Sequence, residues 1–103
     1  MIKIALAQLN FCVGDITGNT NKIIDTLAKA RSKKVNLIVF PELSLLGYPP
    51  GDLLLRRDFI KENLIYFEKI KNKSIGIAVI LGFVYCNGRN IYNAYALIDD
   101  GKL

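Results

Sequence analysis

The sequence predicts an α/β fold whose elements follow one another in the order β-α-β-α-β-β. Three observations lead to this prediction. Residues 2–8 alternate large apolar side chains with small or polar ones, which is the two-residue period of a strand. Two later segments repeat apolar residues every three to four positions, as amphipathic helices do. The turn signal Asn87-Gly88 separates two further stretches of strand-like alternation.

The first three elements form a βαβ unit. One face of the strand at residues 2–8 carries mostly small side chains, so it can approach another layer closely. A loop with Gly14-Asp15 and Gly18-Asn19 leads to the first helix, for which Asn19 or Asn21 is the candidate cap. The run at residues 37–40 is apolar throughout and stops at a proline, as expected of a strand covered on both faces. The predicted buried stripe of the helix comprises Ile23, Ile24, Leu27, Ala28 and Ala30.

The remaining elements are a long helix and two paired strands. Asp52 follows a proline-rich turn and is the candidate cap of a helix over residues 53–71. Residues 75–85 and 91–98 alternate as strands, and Asn87-Gly88 between them tolerates the positive φ of a tight hairpin. The apolar stripe of the helix comprises Leu55, Phe59, Ile60, Leu64, Phe67 and Ile70. On the strand at residues 75–85, the face with the larger side chains comprises Ile77, Val79, Leu81 and Phe83.

Composition and charge exclude several classes of function. The chain has 14 basic and 9 acidic residues, a net charge of +5, and no histidine. The basic residues fall at helical spacing with acidic residues between them, which indicates solvated helix faces rather than a nucleic-acid or membrane partner. Without histidine or zinc-ligand spacing we expect no metal site. Because no signal peptide or spanning segment is apparent, we expect a cytoplasmic protein in which Cys12 and Cys86 are free, inert thiols.

One carboxylate lies where α/β proteins bind their ligands. Glu42 closely follows the strand at residues 37–40, and ligands sit at the carboxyl ends of parallel strands. Apolar residues flank it on both sides, so we expect partial desolvation, as suits a general base. The alternative is a capping or loop glutamate bonded to backbone amides, and position alone favours neither interpretation.

Several short motifs occur in order along the chain: Ala7-Gln8-Leu9-Asn10, Val13-Gly14-Asp15, Gly18-Asn19, Phe40-Pro41-Glu42-Leu43, Gly47-Tyr48-Pro49-Pro50-Gly51-Asp52-Leu53-Leu54 and Tyr92-Asn93-Ala94. Together they resemble the nitrilase (carbon-nitrogen hydrolase) superfamily. The long motif is most similar to one branch of it, the glutaminase domains of glutamine-dependent NAD synthetases. The likeness covers residues 1–103 but only the N-terminal portion of that domain. It implies a partial α-β-β-α sandwich.

The resemblance also implies a mechanism. This family hydrolyses amides with a Glu-Lys-Cys triad in which the thiolate attacks the carbonyl, the lysine stabilises the oxyanion and the glutamate is the base. By motif the catalytic glutamate is Glu42. The tyrosine that lines the glutamine pocket is Tyr48, for which a structural tyrosine packed on Pro49 is an equal alternative. The lysine is expected on a strand that begins at Leu103 and the cysteine further along, so both lie beyond this chain, and Lys102 is not that lysine.

Three interpretations of function stay open. The first is part of a glutamine amidohydrolase domain that supplies ammonia for NAD synthesis from deamido-NAD and is inactive alone. ATP and deamido-NAD would then bind a synthetase domain, with no cofactor in this segment. The second is a fragment of another amidase or carbamoylase, and the third is a non-catalytic remnant or assembly partner from a truncated gene. Since a partial sandwich leaves apolar strand faces uncovered, we expect self-association through the exposed sheet surface.

Overall fold

The helices and strands follow the predicted order. A computed structural model describes residues 1–42, 44–48, 51, 56–88 and 90–103. The strands form one sheet in the order β1-β2-β3-β4, in which the first three strands are parallel and the last two form an antiparallel hairpin. The predicted α/β fold class is therefore confirmed. The elements are β1 (Ile4–Leu6), α1 (Ile16–Ser32), β2 (Leu37–Val39), α2 (Arg57–Lys73), β3 (Ala78–Asn87) and β4 (Asn90–Asp99).

Both helices pack on the same face of the sheet. The two crossovers connect parallel neighbours and step in one direction along the sheet, and right-handed crossovers of this kind place their helices on one side. The sheet face beneath the helices is buried, with Val79 and Leu81 both 0% exposed. The rings of Phe67 on α2 and Phe83 on β3 stack there with their centroids 4.2 Å apart. The same hydrophobic core includes Ile23, Leu27, Ile38, Ile70, Ala96 and Ile98.

The opposite face of the sheet is apolar, and the described residues leave it uncovered along the two outer strands, β1 and β4. Ile4 and Leu6 on β1 are 57% and 70% exposed, and Tyr95 and Leu97 on β4 are 56% and 60% exposed. These four residues are called the open face below. Side chains alternate between faces along each strand, so the small residue Ala5 of β1 points to the helices and its larger neighbours point away. The sheet thus has the uncovered apolar surface that the sequence predicts.

The start of α1 differs from the prediction. Its N-cap is Asp15, whose Oδ1 accepts a hydrogen bond from the Gly18 N–H at 3.0 Å, so neither Asn19 nor Asn21 is the cap. The first helical turn therefore includes Gly18-Asn19, which the sequence places in a loop. Ala28 of the predicted stripe is exposed. The most deeply buried members of that stripe are Ile23, Leu27 and Ala30.

The start of α2 is later than predicted. Arg56 has an extended backbone, with φ −98° and ψ 114°, so the helix begins at Arg57 rather than at residue 53. The predicted cap Asp52 and the stripe residue Leu55 lie outside the described residues. The other stripe positions of the prediction are buried or half-buried in the core, namely Phe59, Ile60, Leu64, Phe67 and Ile70.

Asn63 of α2 is a buried polar residue that the apolar pattern does not reveal. Its Nδ2 donates to the Val84 carbonyl at 2.7 Å, and the Val84 N–H donates to its Oδ1 at 3.4 Å. β3 continues past the end of β2 at Val39, so this edge of β3 has no strand beside it at Val84. The side-chain amide therefore takes the place of a neighbouring strand, as buried backbone groups require a partner.

The predicted hairpin between β3 and β4 is present, but Asn87 is the last residue of β3 and the turn begins at Gly88. A further turn follows β4. β3 pairs with β4 as far as Asn87 and Asn90, which leaves a two-residue turn that includes Gly88 with φ 62°. After β4, Asp100 and Gly101 have φ 51° and 79°, and Asp99 and Lys102 pair across them. Successive positive φ values are typical of the tight hairpin turns that asparagine, aspartate and glycine favour.

Candidate active site

Glu42 lies just beyond the carboxyl end of β2, as the sequence predicts. The neighbouring Phe40 N–H still bonds to the Ile80 carbonyl of β3 at 2.9 Å, so the loop begins anchored to the sheet. Glu42 itself is exposed. Its apolar neighbours Phe40, Leu45 and Leu46 are at most 1% exposed and point into the core, so they do not surround the carboxylate. The predicted desolvation of Glu42 is therefore wrong for this chain.

The carboxylate of Glu42 has a side-chain partner from a distant part of the chain. The Nδ2 of Asn93 on β4 donates a hydrogen bond to its Oε1. An ionised carboxylate carries no proton to donate, so the amide nitrogen must be the donor. The sequence identified Asn93 only within a family motif and assigned it no role. The available signal was strand alternation, which puts Asn93 on the same side of β4 as Tyr95 and Leu97.

A buried asparagine of α1 holds the loop that follows Glu42. Asn19 is 0% exposed, and its Oδ1 accepts a hydrogen bond from the Cys12 N–H at 2.9 Å. Its Nδ2 donates to the Cys12 carbonyl at 2.8 Å and to the Leu45 carbonyl at 3.1 Å. One side chain thus ties the loop after β1 to the loop after β2. Asn19 positions the site from inside the helix instead of capping it.

The same two loops also touch directly. The Gly14 N–H donates to the Leu46 carbonyl at 2.9 Å. Gly47 has φ +80°, and a Cβ placed on it would lie 2.7 Å from both the backbone nitrogen and the Cα of Val13. Only glycine fits such a close approach at a positive φ without strain. Within the loop, the hydroxyl of Ser44 donates to the Pro41 carbonyl next to Glu42.

Contacts among the described residues do not link the other candidate residues to Glu42. Tyr48 is 63% exposed, and its alternative packing partner Pro49 lies outside the described residues. Lys102 follows the turn after β4, and no ion pair in the described part of the chain joins a lysine to Glu42. Cys12 and Cys86 are both free. The roles of Glu42 and Tyr48 remain predictions.

A separate groove of about 530 Å³ lies between the start of α2 and the β3-β4 hairpin, and Glu42 does not line it. Its lining comprises Arg57, Ile60, Lys61, Leu64, Cys86, Gly88 and Ile91.

Within the described ranges, no group of three or more His, Cys, Asp or Glu side chains could hold a metal ion. None of the helices that these ranges contain is long and apolar enough to cross a membrane. What the candidate site provides chemically is the exposed carboxylate of Glu42 with the amide of Asn93 donating to it.

Comparison with known proteins identifies the family. The family model of the carbon-nitrogen hydrolases matches residues 3–103. The chain belongs to the carbon-nitrogen hydrolase family. Over 104 aligned residues it is 41% identical to the glutamine-dependent NAD(+) synthetase of Thermotoga maritima, and the match covers 99% of this chain and 18% of that protein. This carbon-nitrogen hydrolase segment therefore spans about a fifth of the curated relative's length.

Solved structures agree with this assignment. The crystal structure of a glutamine-dependent NAD(+) synthetase from Cytophaga hutchinsonii matches with a TM-score of 0.92 and 28% identity, over 97% of this chain and 17% of that one. An amidase from Nesterenkonia sp. matches with a TM-score of 0.80 and 25% identity, over 98% of this chain and 40% of that one. The predicted resemblance to the N-terminal part of the synthetases' glutaminase domain is thus confirmed.

Proposed function

We propose that these residues are the N-terminal part of a glutamine amidohydrolase domain that supplies ammonia for NAD synthesis from deamido-NAD. The observation that carries the proposal is the exposed carboxylate of Glu42, which lies at the carboxyl end of β2 beside a hydrogen-bond donor. It occupies the motif position of the triad's glutamate. In this proposal ATP and deamido-NAD bind a synthetase domain outside these residues, and the protein is cytoplasmic, consistent with free thiols at Cys12 and Cys86.

The proposed reaction begins with proton transfer. Glu42 takes the proton of the triad's cysteine, and the thiolate attacks the glutamine amide carbonyl while the triad's lysine stabilises the oxyanion. Glu42 then gives the proton to the leaving nitrogen, which departs as ammonia and leaves a thioester. Water attacks the thioester, again with Glu42 as base, the carbon-sulfur bond breaks to release glutamate, and the cysteine sulfur regains its proton from Glu42. Tyr48 is proposed to line the glutamine pocket, a role for which its exposed side chain is accessible.

The test of Glu42 uses the complete enzyme, meaning residues 1–103 joined to the remaining residues of a synthetase, either their own or those of the Thermotoga maritima relative. Glu42→Gln keeps the shape of the side chain but removes the base, so we expect the kcat of ammonia release to fall by about 10²- to 10⁴-fold. Glu62→Gln, an exposed change on α2, is the matched control and should leave kcat unchanged. Near-normal turnover of Glu42→Gln would defeat the proposal.

The 103 residues alone are proposed to be inactive. They contain the motif glutamate but neither the triad's lysine nor its cysteine, so no thioester can form. The purified chain, incubated with glutamine, should release no ammonia above the background of its own Glu42→Gln variant, while the complete enzyme serves as the positive control. Ammonia release that depends on Glu42 in the isolated chain would contradict this expectation.

A second candidate function is amide hydrolysis on another small substrate, as in a stand-alone amidase or carbamoylase. The structural match to the Nesterenkonia amidase favours it. The kcat/KM values of the complete enzyme for glutamine and for simple aliphatic amides and carbamoyl compounds separate the two. A non-catalytic remnant or assembly partner, the third candidate, is tested by reading the codons after Leu103, where a stop codon would support it.

Self-association is proposed to occur through the open face. Exposed apolar patches of this kind lower their free energy by meeting another apolar surface. Leu97→Lys places a charge in the open face, whereas Ile65→Lys places one on α2 at an equally exposed position, 61% against 60%. Sedimentation of the 103-residue chain should show that Leu97→Lys reduces association and Ile65→Lys does not. A monomeric parent chain would refute this part of the proposal.

A further inference from the structure

We propose that Asn93 is the positioning residue of Glu42. Its amide donates to one carboxylate oxygen, Oε1, and so orients the other, Oε2, toward the proton that Glu42 must accept. This inference rests on the proposed function, in which Glu42 is the general base. It assigns a role in the reaction to a residue that contacts Glu42 and no reacting atom.

Asn93 is suited to this role because the strand that carries it is paired with β3 on both sides of this position. It lies near the centre of the ten-residue strand β4, directly opposite Val84 of β3. Both backbone hydrogen-bonding groups of Val84 are bonded to Asn63 of α2, so Asn93 is held by the pairing of its chain neighbours Tyr92 and Ala94 with β3. The Asn93 side chain is therefore carried by the sheet, whereas Glu42 lies on a loop.

Glu42 needs such a partner because it lies on a loop, outside the helices and strands. A glutamate side chain can adopt several rotamers, and fixing one of them costs conformational entropy. A general base acts only when its oxygen is within hydrogen-bond reach of the proton, so a rotating carboxylate would be in place for only part of the time. A neutral amide is a fitting partner, since it orients the carboxylate and adds no competing charge.

The experiment removes the donor in the complete enzyme. Asn93→Asp is nearly isosteric but replaces the amide with a carboxylate, and Asn93→Ala removes the side chain. Loss of a hydrogen bond to a charged group is expected to lower kcat by about 10- to 100-fold. KM should stay within about twofold, because Asn93 does not contact substrate. Asn90→Asp makes the same change on the same strand but on its opposite face, and should leave kcat unchanged.

A double-mutant cycle tests whether Asn93 acts through Glu42. In a Glu42→Gln background, Asn93→Ala should cause no further loss of the residual acylation rate, because there is no base left to position. Normal kcat in both Asn93 variants, or an equal loss in the Glu42→Gln background, would overturn the inference. So would unfolding of both Asn93 variants, since Asn93 would then be a structural residue.

The two proposals fail differently. Near-normal turnover of Glu42→Gln defeats the proposed function and this inference with it. A large loss for Glu42→Gln with normal kcat for Asn93→Asp and Asn93→Ala leaves the proposed function standing and defeats the inference alone.

Discussion

Replacing Asn19 with alanine should lower the free energy of unfolding of the 103-residue chain by about 3 kcal/mol. The hydrogen bond from Asn19 to the Leu45 carbonyl is buried, so leaving that carbonyl without a partner should lower the free energy of unfolding by about 1–3 kcal/mol. The two hydrogen bonds with Cys12 are only partly buried, so water can replace them, and each contributes about 0.5–1.5 kcal/mol. Alanine has a higher helix propensity than asparagine, which offsets about 0.5 kcal/mol of this loss of stability.

Asn21→Ala is the matched control for this change. Asn21 lies on the same helix but is exposed, so its replacement should stabilise the chain by about 0.5 kcal/mol through helix propensity alone. Urea unfolding followed by circular dichroism measures both variants. A loss below about 1 kcal/mol for Asn19→Ala would show that its hydrogen bonds contribute little. A comparable loss for Asn21→Ala would instead support a capping role for Asn21.

Three further changes test other parts of the structure. Gly47→Ala should lower the free energy of unfolding by at least about 2 kcal/mol, because its Cβ would collide with the backbone of Val13. Gly88→Ala has open space around it and should lower the free energy of unfolding by only about 1 kcal/mol. Equal losses of stability for the two variants in thermal unfolding would refute the collision at Gly47. Asp15→Ala should lower the free energy of unfolding in urea by about 1 kcal/mol, because it removes the N-cap of α1. Asp15→Ser should lower it much less, since serine also caps helices, and equal losses for the two variants would rule out the cap. The hydrogen bond from Arg56 holds the pKa of Asp58 below its usual range, so Arg56→Gln should raise that pKa in an NMR titration, and an unchanged titration would contradict this cause.

Local signals in the sequence account for most of the elements and for the place of Glu42. The hairpin between β3 and β4 was predictable because its turn signal is contained in adjacent residues, although the turn begins at Gly88 rather than at Asn87. The helix cap was not, because Asp15, Asn19 and Asn21 are all good caps within one short stretch, and only the packed helix decides among them. The exposure of Glu42 was also missed, since apolar neighbours in sequence point into the core instead of around the carboxylate.

By itself the sequence determined the family, the β-α-β-α-β-β order and the position of one candidate base. The tertiary structure alone decided which sheet face is covered, because both faces of the strands are apolar and the common direction of the two crossovers puts both helices on one side. It also decided which side chain meets Glu42. Asn93 is 51 residues away along the chain, and only the pairing of β4 with β3 brings its amide to the loop after β2.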